Sequence, residues 1–591
     1  MDRRRQLRLA LARRFDAGRD ASPCQGSPAP AIIGIVKRQT ILAGASIMAV
    51  AALLSRILGW VRDRSIGHFW GRSPHTEAYW AAFMIPDLLY YLLAGGALSA
   101  AVIPVLTRYL RRNEDAESWK ITNTLVTFFG LWAIIGVTLI MLFAPGLVTL
   151  AAAGFRSNPA KAAECAVYVR ILAPMVFFTV LSALFTGILQ SHRHFTAPAL
   201  AWLVYNVGII GGAFIGGMIM IQRGGPSAGL KVLAGGVVLG AVLLVLVQIP
   251  SLVARGFRYR PTFDLGHPGV REALRLFVPY MAGLAFTQIC LLWLPSFFGS
   301  YFPLGVTSLR YANRLVVLPL GLFGIAISTA AFPVMAERID AGEMGAFRRL
   351  FSGSIRTVFL LSVPSAAGLI VLAGPILRLL WRSGKFGEGA IEATEFCLIY
   401  YAASLIGLSG LQIVNRAFYS LRDVRTPPLV GIAYTGVIVA LSLGLMHGRL
   451  QYAAVAAATS VGVTVGLVVM FEALRRRLAG IDGRAIAISF ARVVLASLAL
   501  AAVTFCVSRW SGQLLGVPAT HFAATAPSEA AGATAAAAPI SRVAAQVVVS
   551  IAAGALTYLA MLRLMGAPEL ATFAQAMRSR KSATAPAAPL G

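Results

Sequence analysis

Apolar runs of about twenty residues recur along the whole chain, with short basic loops between them, and this repetition leaves few folds open. A run of that length crosses a bilayer as a helix, because in hydrocarbon only a helix or a closed barrel satisfies its own backbone. Fourteen runs are read, centred near Val50, Leu92, Leu131, Phe178, Ile209, Val242, Phe286, Leu322, Leu361, Ala402, Val437, Val461, Leu498 and Ile551. Composition agrees. The 591 residues are 58% hydrophobic and 13% charged, whereas soluble domains carry about 25% charged residues. The expected fold is an all-α polytopic membrane protein.

The net charge is +29. In a soluble chain such charge suggests nucleic acid. Here the basic residues sit in the loops, so no nucleic-acid partner is expected. With both termini cytoplasmic, the cytoplasmic segments hold 35 Lys and Arg and the outer loops hold 13. That excess fixes the expected orientation. Four more arginines (Arg56, Arg170, Arg310 and Arg314) fall inside apolar runs. Residues 1–38 read as a basic cytoplasmic tail rather than a transit peptide, because Asp2, Asp16 and Asp20 interrupt it. The five cysteines are scattered without ligand spacing, so neither a disulfide framework nor a metal site is expected.

The chain carries an internal repeat. Thr196–Pro198 after one helix matches Thr426–Pro428 after another, Pro86 matches Pro319, and Pro104 matches Pro333, at offsets of 230, 233 and 229 residues. Six helices separate each pair, which keeps both copies in one orientation. Two parallel six-helix lobes about an axis along the membrane normal follow. The expected divisions are an N-lobe at 39–262, a C-lobe at 263–480, two extra helices at 481–566 and a cytoplasmic tail at 567–591. An Ala-, Thr- and Pro-rich outer loop at 508–541 reads as low complexity.

Charges inside apolar runs mark the candidate site, since each costs about 2.5–3.5 kcal/mol at mid-bilayer unless it faces water or a partner. Arg56, Arg62 and Asp63 close the first helix. The arginines there either line a wet cavity or reach the outer headgroups. Glu77 opens the second helix, and Asp87 lies ten residues deeper. Either acid can pair with the arginines, while Glu77 also suits an ordinary helix start. Arg310 and Arg314 share one face of the eighth helix, four residues apart. Both halves thus supply guanidinium groups, whose planar fork suits phosphate oxygens; pairing with Glu77 or Asp87 is the structural alternative. Arg170 and Arg378, in or beside apolar runs, receive no role. There is no P-loop, no histidine cluster and no acid–base constellation, so neither an enzyme nor a cofactor is expected.

In this setting the sequence resembles the MurJ (MviN) family of lipid II flippases, within the multidrug/oligosaccharidyl-lipid/polysaccharide exporter superfamily. The stretches that carry the resemblance are Ser55–Asp63, Thr76–Tyr79, Ile85–Leu89, Gly96–Ser99, Tyr311–Leu315, Gly384–Phe386 and Phe418–Ser420 with Asp423, Thr426 and Pro427. The resemblance implies fourteen helices, a central cavity between two lobes, alternating access, and residence in a bacterial inner membrane. It further implies that Arg56, Arg62 and Arg314, with Asp63 beside them, meet the diphosphate and sugar of lipid II. The last two helices would form a groove for the polyprenyl tail. The chain departs from the family pattern at Tyr90–Tyr91, where a basic pair is usual, and at Ala94–Gly96, where an acid is usual. These departures keep two alternatives open: a flippase for another polyprenyl-diphosphate oligosaccharide, or a non-transporting scaffold. The seventh helix has no acid between Phe277 and Phe302, which leaves any coupling ion unassigned.

Overall fold

The computed structural model describes residues 29–93, 97–288, 293–478, 480–517, 538–567 and 569. Most of the basic tail, the low-complexity stretch 518–537 and most of the chain beyond residue 567 therefore lie outside the described residues. The described residues are helices joined by short turns, with one isolated bridge between Ser383 and Phe386.

Helix α1 (Ala29–Trp70) leads into a span whose described parts are α2 (Pro74–Ala82), α3 (Met84–Leu93) and α4 (Ala97–Arg111). Ser73 caps α2, its Oγ accepting the Thr76 N–H at 3.3 Å, and Pro74 fills the first helical position. Next come α5 (Asp115–Ala151), α6 (Pro159–Leu172), α7 (Pro174–Ser191), α8 (Thr196–Ile219), α9 (Gly225–Leu246) and the short α10 (Ile249–Val253). The second half opens with α11 (Pro268–Gln288) and α12 (Leu294–Gly299). Helix α13 (Gly305–Pro319) then runs through a π-helical segment, Leu320–Ile325, into α14 (Ala326–Asp340). There follow α15 (Met344–Val371), α16 (Ala373–Trp381), α17 (Glu388–Ser420), α18 (Thr426–Leu445), α19 (Ala454–Arg477), α20 (Gly483–Leu515) and α21 (Ile540–Leu564).

Among the described residues, eleven helical segments are long and apolar enough to cross a membrane. The remaining expected runs fall on α1, on α2–α4 and on α11–α12. The chain is a multi-pass membrane protein. Its apolar residues accordingly point outward as well as inward: Leu142, Phe143, Val468 and Leu556 are all exposed.

Lipid gives helices no hydrophobic reason to associate, so close backbone contact must hold them. Helices α8 and α9 meet along glycines. A Cβ on Gly208 would lie 2.5 Å from Gly240 Cα, and one on Gly212 would lie 2.7 Å from Gly236 Cα. Prolines inside helices leave carbonyls without their usual donor four residues on, and in lipid these must be satisfied from elsewhere. Pro145 frees the Met141 carbonyl, which accepts from Arg170 Nε at 3.1 Å. Pro364 frees that of Leu360, which accepts from the Tyr558 hydroxyl at 2.7 Å and so ties α21 to α15. Arg170, for which the sequence suggested nothing, thus repairs a proline break.

The helices of each half pack chiefly on one another, with α11 as the exception: it lies against α3 and α4 of the first half more than against α18. Helices α20 and α21 pack as a pair and reach the rest through α15 and α16.

Candidate functional site

The end of α1 and the second half of α13 meet at one carboxylate. Asp63 is 5% exposed. Arg62 holds its Oδ1 through Nε at 2.9 Å and Nη2 at 2.8 Å, while Arg314 holds Oδ2 through Nε at 3.0 Å. One acid therefore bridges arginines from opposite halves and leaves the trio with one net positive charge. The Tyr311 hydroxyl donates to the Asp63 carbonyl at 3.3 Å, locking the same helices together. The two arginines differ in availability. Arg62 is also held by Asn206, whose Oδ1 accepts from Nη1 at 3.2 Å. The Arg314 side chain is 42% exposed and engages the acid through Nε. Of the two, it offers an entering anion the readier contact, through its terminal nitrogens.

Asn206 orients Arg62 and was missed from sequence. Its Nδ2 donates to Ser55 Oγ at 3.3 Å and to the Trp202 carbonyl at 2.9 Å. A single buried amide within the apolar run Thr196–Ile219 was the available signal.

One turn earlier on α13, Arg310 faces Asp87 with Nη2 and Oδ2 3.9 Å apart. Its guanidinium lies 4.5 Å from the Trp80 ring centre and 5.3 Å from that of Phe83. A cation stacked on aromatic faces loses part of its hydration without loss of stability. Arg56, lower on α1, is exposed and reaches across to the π-helical segment. A Cβ on Gly321 would stand 2.6 Å from Arg56 Nη2, so glycine is what lets the guanidinium approach.

Glu77 stands apart from these residues. It is fully buried and paired with Lys161 of α6. Its oxygens accept the N–H groups of Leu304 at 3.0 Å and Val306 at 2.9 Å, at the N-terminus of α13. That end of the bundle is clasped in several further places. Arg64 donates to the Leu380 carbonyl at 2.7 Å, Arg72 Nε to Ser308 Oγ at 2.7 Å, and the Lys385 N–H to the His68 carbonyl at 2.9 Å. Two glycines with positive φ permit the last contact: a Cβ on Gly71 would fall 2.3 Å from the Lys385 carbonyl oxygen, and one on Gly384 2.2 Å from that of His68. Arg378, also given no role from sequence, is buried with Nε 2.8 Å from Glu388, and this pair anchors α16 in the clasp.

The structure therefore brings together Arg62, Asp63 and Arg314, sets Arg310 and Asp87 beside them, lays Arg56 against Gly321, and places Glu77 in the clasp. The basic groups lie on inner helix faces shared by the two halves. Such a site can hold a multiply charged anion by exchanging it for the Asp63 carboxylate.

Residues 66–522 match the family described as lipid II flippase MurJ. The lipid II flippase MurJ of Burkholderia cenocepacia is 28% identical over 72% of this chain and 82% of its own. The probable lipid II flippase MurJ of Vibrio cholerae is 30% identical over 73% of this chain and 83% of its own. Among solved structures, a lipid II flippase MurJ in an inward closed conformation superposes with a TM-score of 0.69, at 22% identity, over 88% of this chain and 98% of that one. An inward-facing multidrug transporter of the MATE family superposes with a TM-score of 0.59, at 17% identity, over 71% and 94%.

Proposed function

Because this chain belongs to the MurJ family of lipid II flippases, we propose that it moves lipid II from the inner to the outer leaflet of a bacterial cytoplasmic membrane by alternating access between an N-lobe (39–262) and a C-lobe (263–480). The single observation that carries the reading is the Asp63 bridge: guanidinium groups of opposite halves, Arg62 and Arg314, converge on one carboxylate. A diphosphate offers the same geometry with more charge, so it competes for both arginines and draws the halves with it.

In this reading both termini are cytoplasmic, and the clasped end built on Glu77, Arg64, Arg72 and Lys385 faces outward. The head group enters from the cytoplasm. Arg56, exposed and nearer the cytoplasmic side, meets the diphosphate first, and Arg314 and Arg62 complete the site. Arg310, with Asp87 as its counter-charge, sets the local charge balance. The polyprenyl tail stays in the bilayer beside α20 and α21. Moving an anion out of an electrically negative cell gains about 2.3 kcal/mol per charge per 100 mV.

The test is head-group translocation by the purified protein in vesicles containing lipid II, together with rescue of a flippase-depleted strain. Transport lost in both Arg62→Ala and Arg314→Ala supports the assignment. Transport that survives the double substitution overturns it. A scaffold would bind without translocating.

A further inference from the structure

Away from the two-lobe junction, α5, α7 and α10 enclose an apolar cleft of about 590 Å³. Gly130 and Ile134 form its floor on α5, Phe177 and Phe185 one wall on α7, and Val253 and Tyr259 the other. From Thr127 to Ile134 the cleft follows seven residues of helix, about 10 Å, which is most of one leaflet's hydrocarbon depth of about 15 Å. One end, taken as its mouth, is lined by Phe257 and Tyr259 of the segment 254–267, which the orientation proposed above puts at the cytoplasmic surface.

The mouth is basic, and its backbone is fixed there. Asn123 Nδ2 donates to the Arg258 carbonyl at 3.3 Å, and one turn along α5 the Thr127 and Tyr259 hydroxyls hydrogen-bond at 3.2 Å. Arg258 and Arg260 flank Tyr259, and both are exposed. Neither takes part in an ion pair among the described residues. The segment's one carboxylate, Asp264, is already held by Lys120 at 2.9 Å. An apolar slot about two-thirds of a leaflet deep, with two uncompensated guanidinium groups at its headgroup end, matches a lipid that has both a chain and a negative charge.

We propose that this cleft binds one anionic glycerophospholipid of the inner leaflet, its acyl chain between α5, α7 and α10 and its phosphate on Arg258 and Arg260. The chain alone would admit any lipid. The arginine pair provides the selectivity, by charge complementarity at the membrane surface.

Native mass spectrometry of the full chain in neutral detergent tests this, with phosphatidylglycerol and phosphatidylcholine of identical chains as probes. The wild type is expected to retain one phosphatidylglycerol in preference to phosphatidylcholine. Arg258→Ala with Arg260→Ala, two exposed loop positions that leave folding intact, should weaken phosphatidylglycerol roughly 30-fold and leave phosphatidylcholine unchanged. Gly130→Leu, whose Cβ would stand 3.9 Å from Phe177 Cε2 and so fit, should reduce retention of both by filling the cleft. Equal retention of the two lipids by the wild type, or an unaltered preference in the double variant, overturns the site. Displacement of phosphatidylglycerol by inorganic phosphate overturns the lipid assignment and gives the arginines to a free anion. Lipid retention does not require transport, so these outcomes stand apart from the test of flippase activity.

Discussion

The Glu77 carboxylate accepts the backbone N–H of Val306 at 2.9 Å across the junction of the two halves. It does for α13 what an N-cap does from within a chain: it satisfies helix-start donors and places negative charge at the positive end of the dipole. Lys161 neutralises it from the other side. Such a buried pair is strong only while complete, since removing one partner strands the other at a cost of about 3–5 kcal/mol. In this structure Glu77 therefore acts as a latch on the clasped end, apart from the arginine cluster.

Glu77→Gln keeps the shape of the side chain and an acceptor for one N–H, but it strands the Lys161 ammonium. The expected result is lower thermal stability in detergent and faster reaction of a membrane-impermeant maleimide at Thr307→Cys, a position fully buried in the clasp. The comparison uses a background freed of the other cysteines. Unchanged labelling would show that the latch does not hold this end shut.

Arg314→Lys separates charge from geometry. Lysine retains the cation but offers a compact point charge, which cannot hold Asp63 through one nitrogen and phosphate oxygens through two others. Translocation in vesicles should fall at least tenfold, a loss of about 1.4 kcal/mol or more, since a charge-assisted hydrogen bond is worth about 1.5–3 kcal/mol. Asp63→Asn should instead leave the arginines mutually repelling at the junction and destabilise the clasped state. Full activity in Arg314→Lys would mean that only charge matters at this position.

Sequence made the spans legible, because a run such as Asp115–Ala151 admits one reading in lipid. It also made the intramembrane charges legible: Arg310 and Asp87 lie in apolar runs and had to find partners. Pairings set by packing were hidden. Nothing local to Glu77 names Lys161, 84 residues on, as its partner. Glu77 does lie in the first turn of α2, as a helix-start acid would, but neither that role nor a pairing with the arginines names the α13 backbone of the other half, which it caps. Repeat count places the division at residue 263, and it does not disclose that α11, the first helix beyond it, packs mostly on α3 and α4. Arg170 and Arg378 looked idle because the groups they satisfy, the Met141 carbonyl and Glu388, become neighbours only in the fold.

Gly321→Ala tests the approach of Arg56. The new Cβ would meet Nη2 at 2.6 Å, and Nη2 ends a long flexible side chain, so the guanidinium can swing aside at little cost to folding. Stability should stay within about 0.5 kcal/mol of the wild type, while translocation drops because Arg56 no longer points across the junction. A stable variant with unaltered transport would remove Arg56 from the site.

Tyr558 and Pro364 form a testable pair although they sit on different helices. Pro364 lacks the N–H that would normally bond the Leu360 carbonyl, and the Tyr558 hydroxyl serves it from α21 at 2.7 Å. Tyr558→Phe should therefore cost about 1–3 kcal/mol, the penalty of a buried acceptor left without a donor. In a Pro364→Ala background the alanine N–H takes over that carbonyl, and the same Tyr558→Phe change should cost much less. Thermal melts of the four proteins give the coupling directly, since residues that share one partner are non-additive while independent ones add within about 0.5 kcal/mol. If the effects simply add, Tyr558 docks α21 through its ring alone, and the carbonyl freed by Pro364 has no part in holding the last two helices to the rest of the molecule.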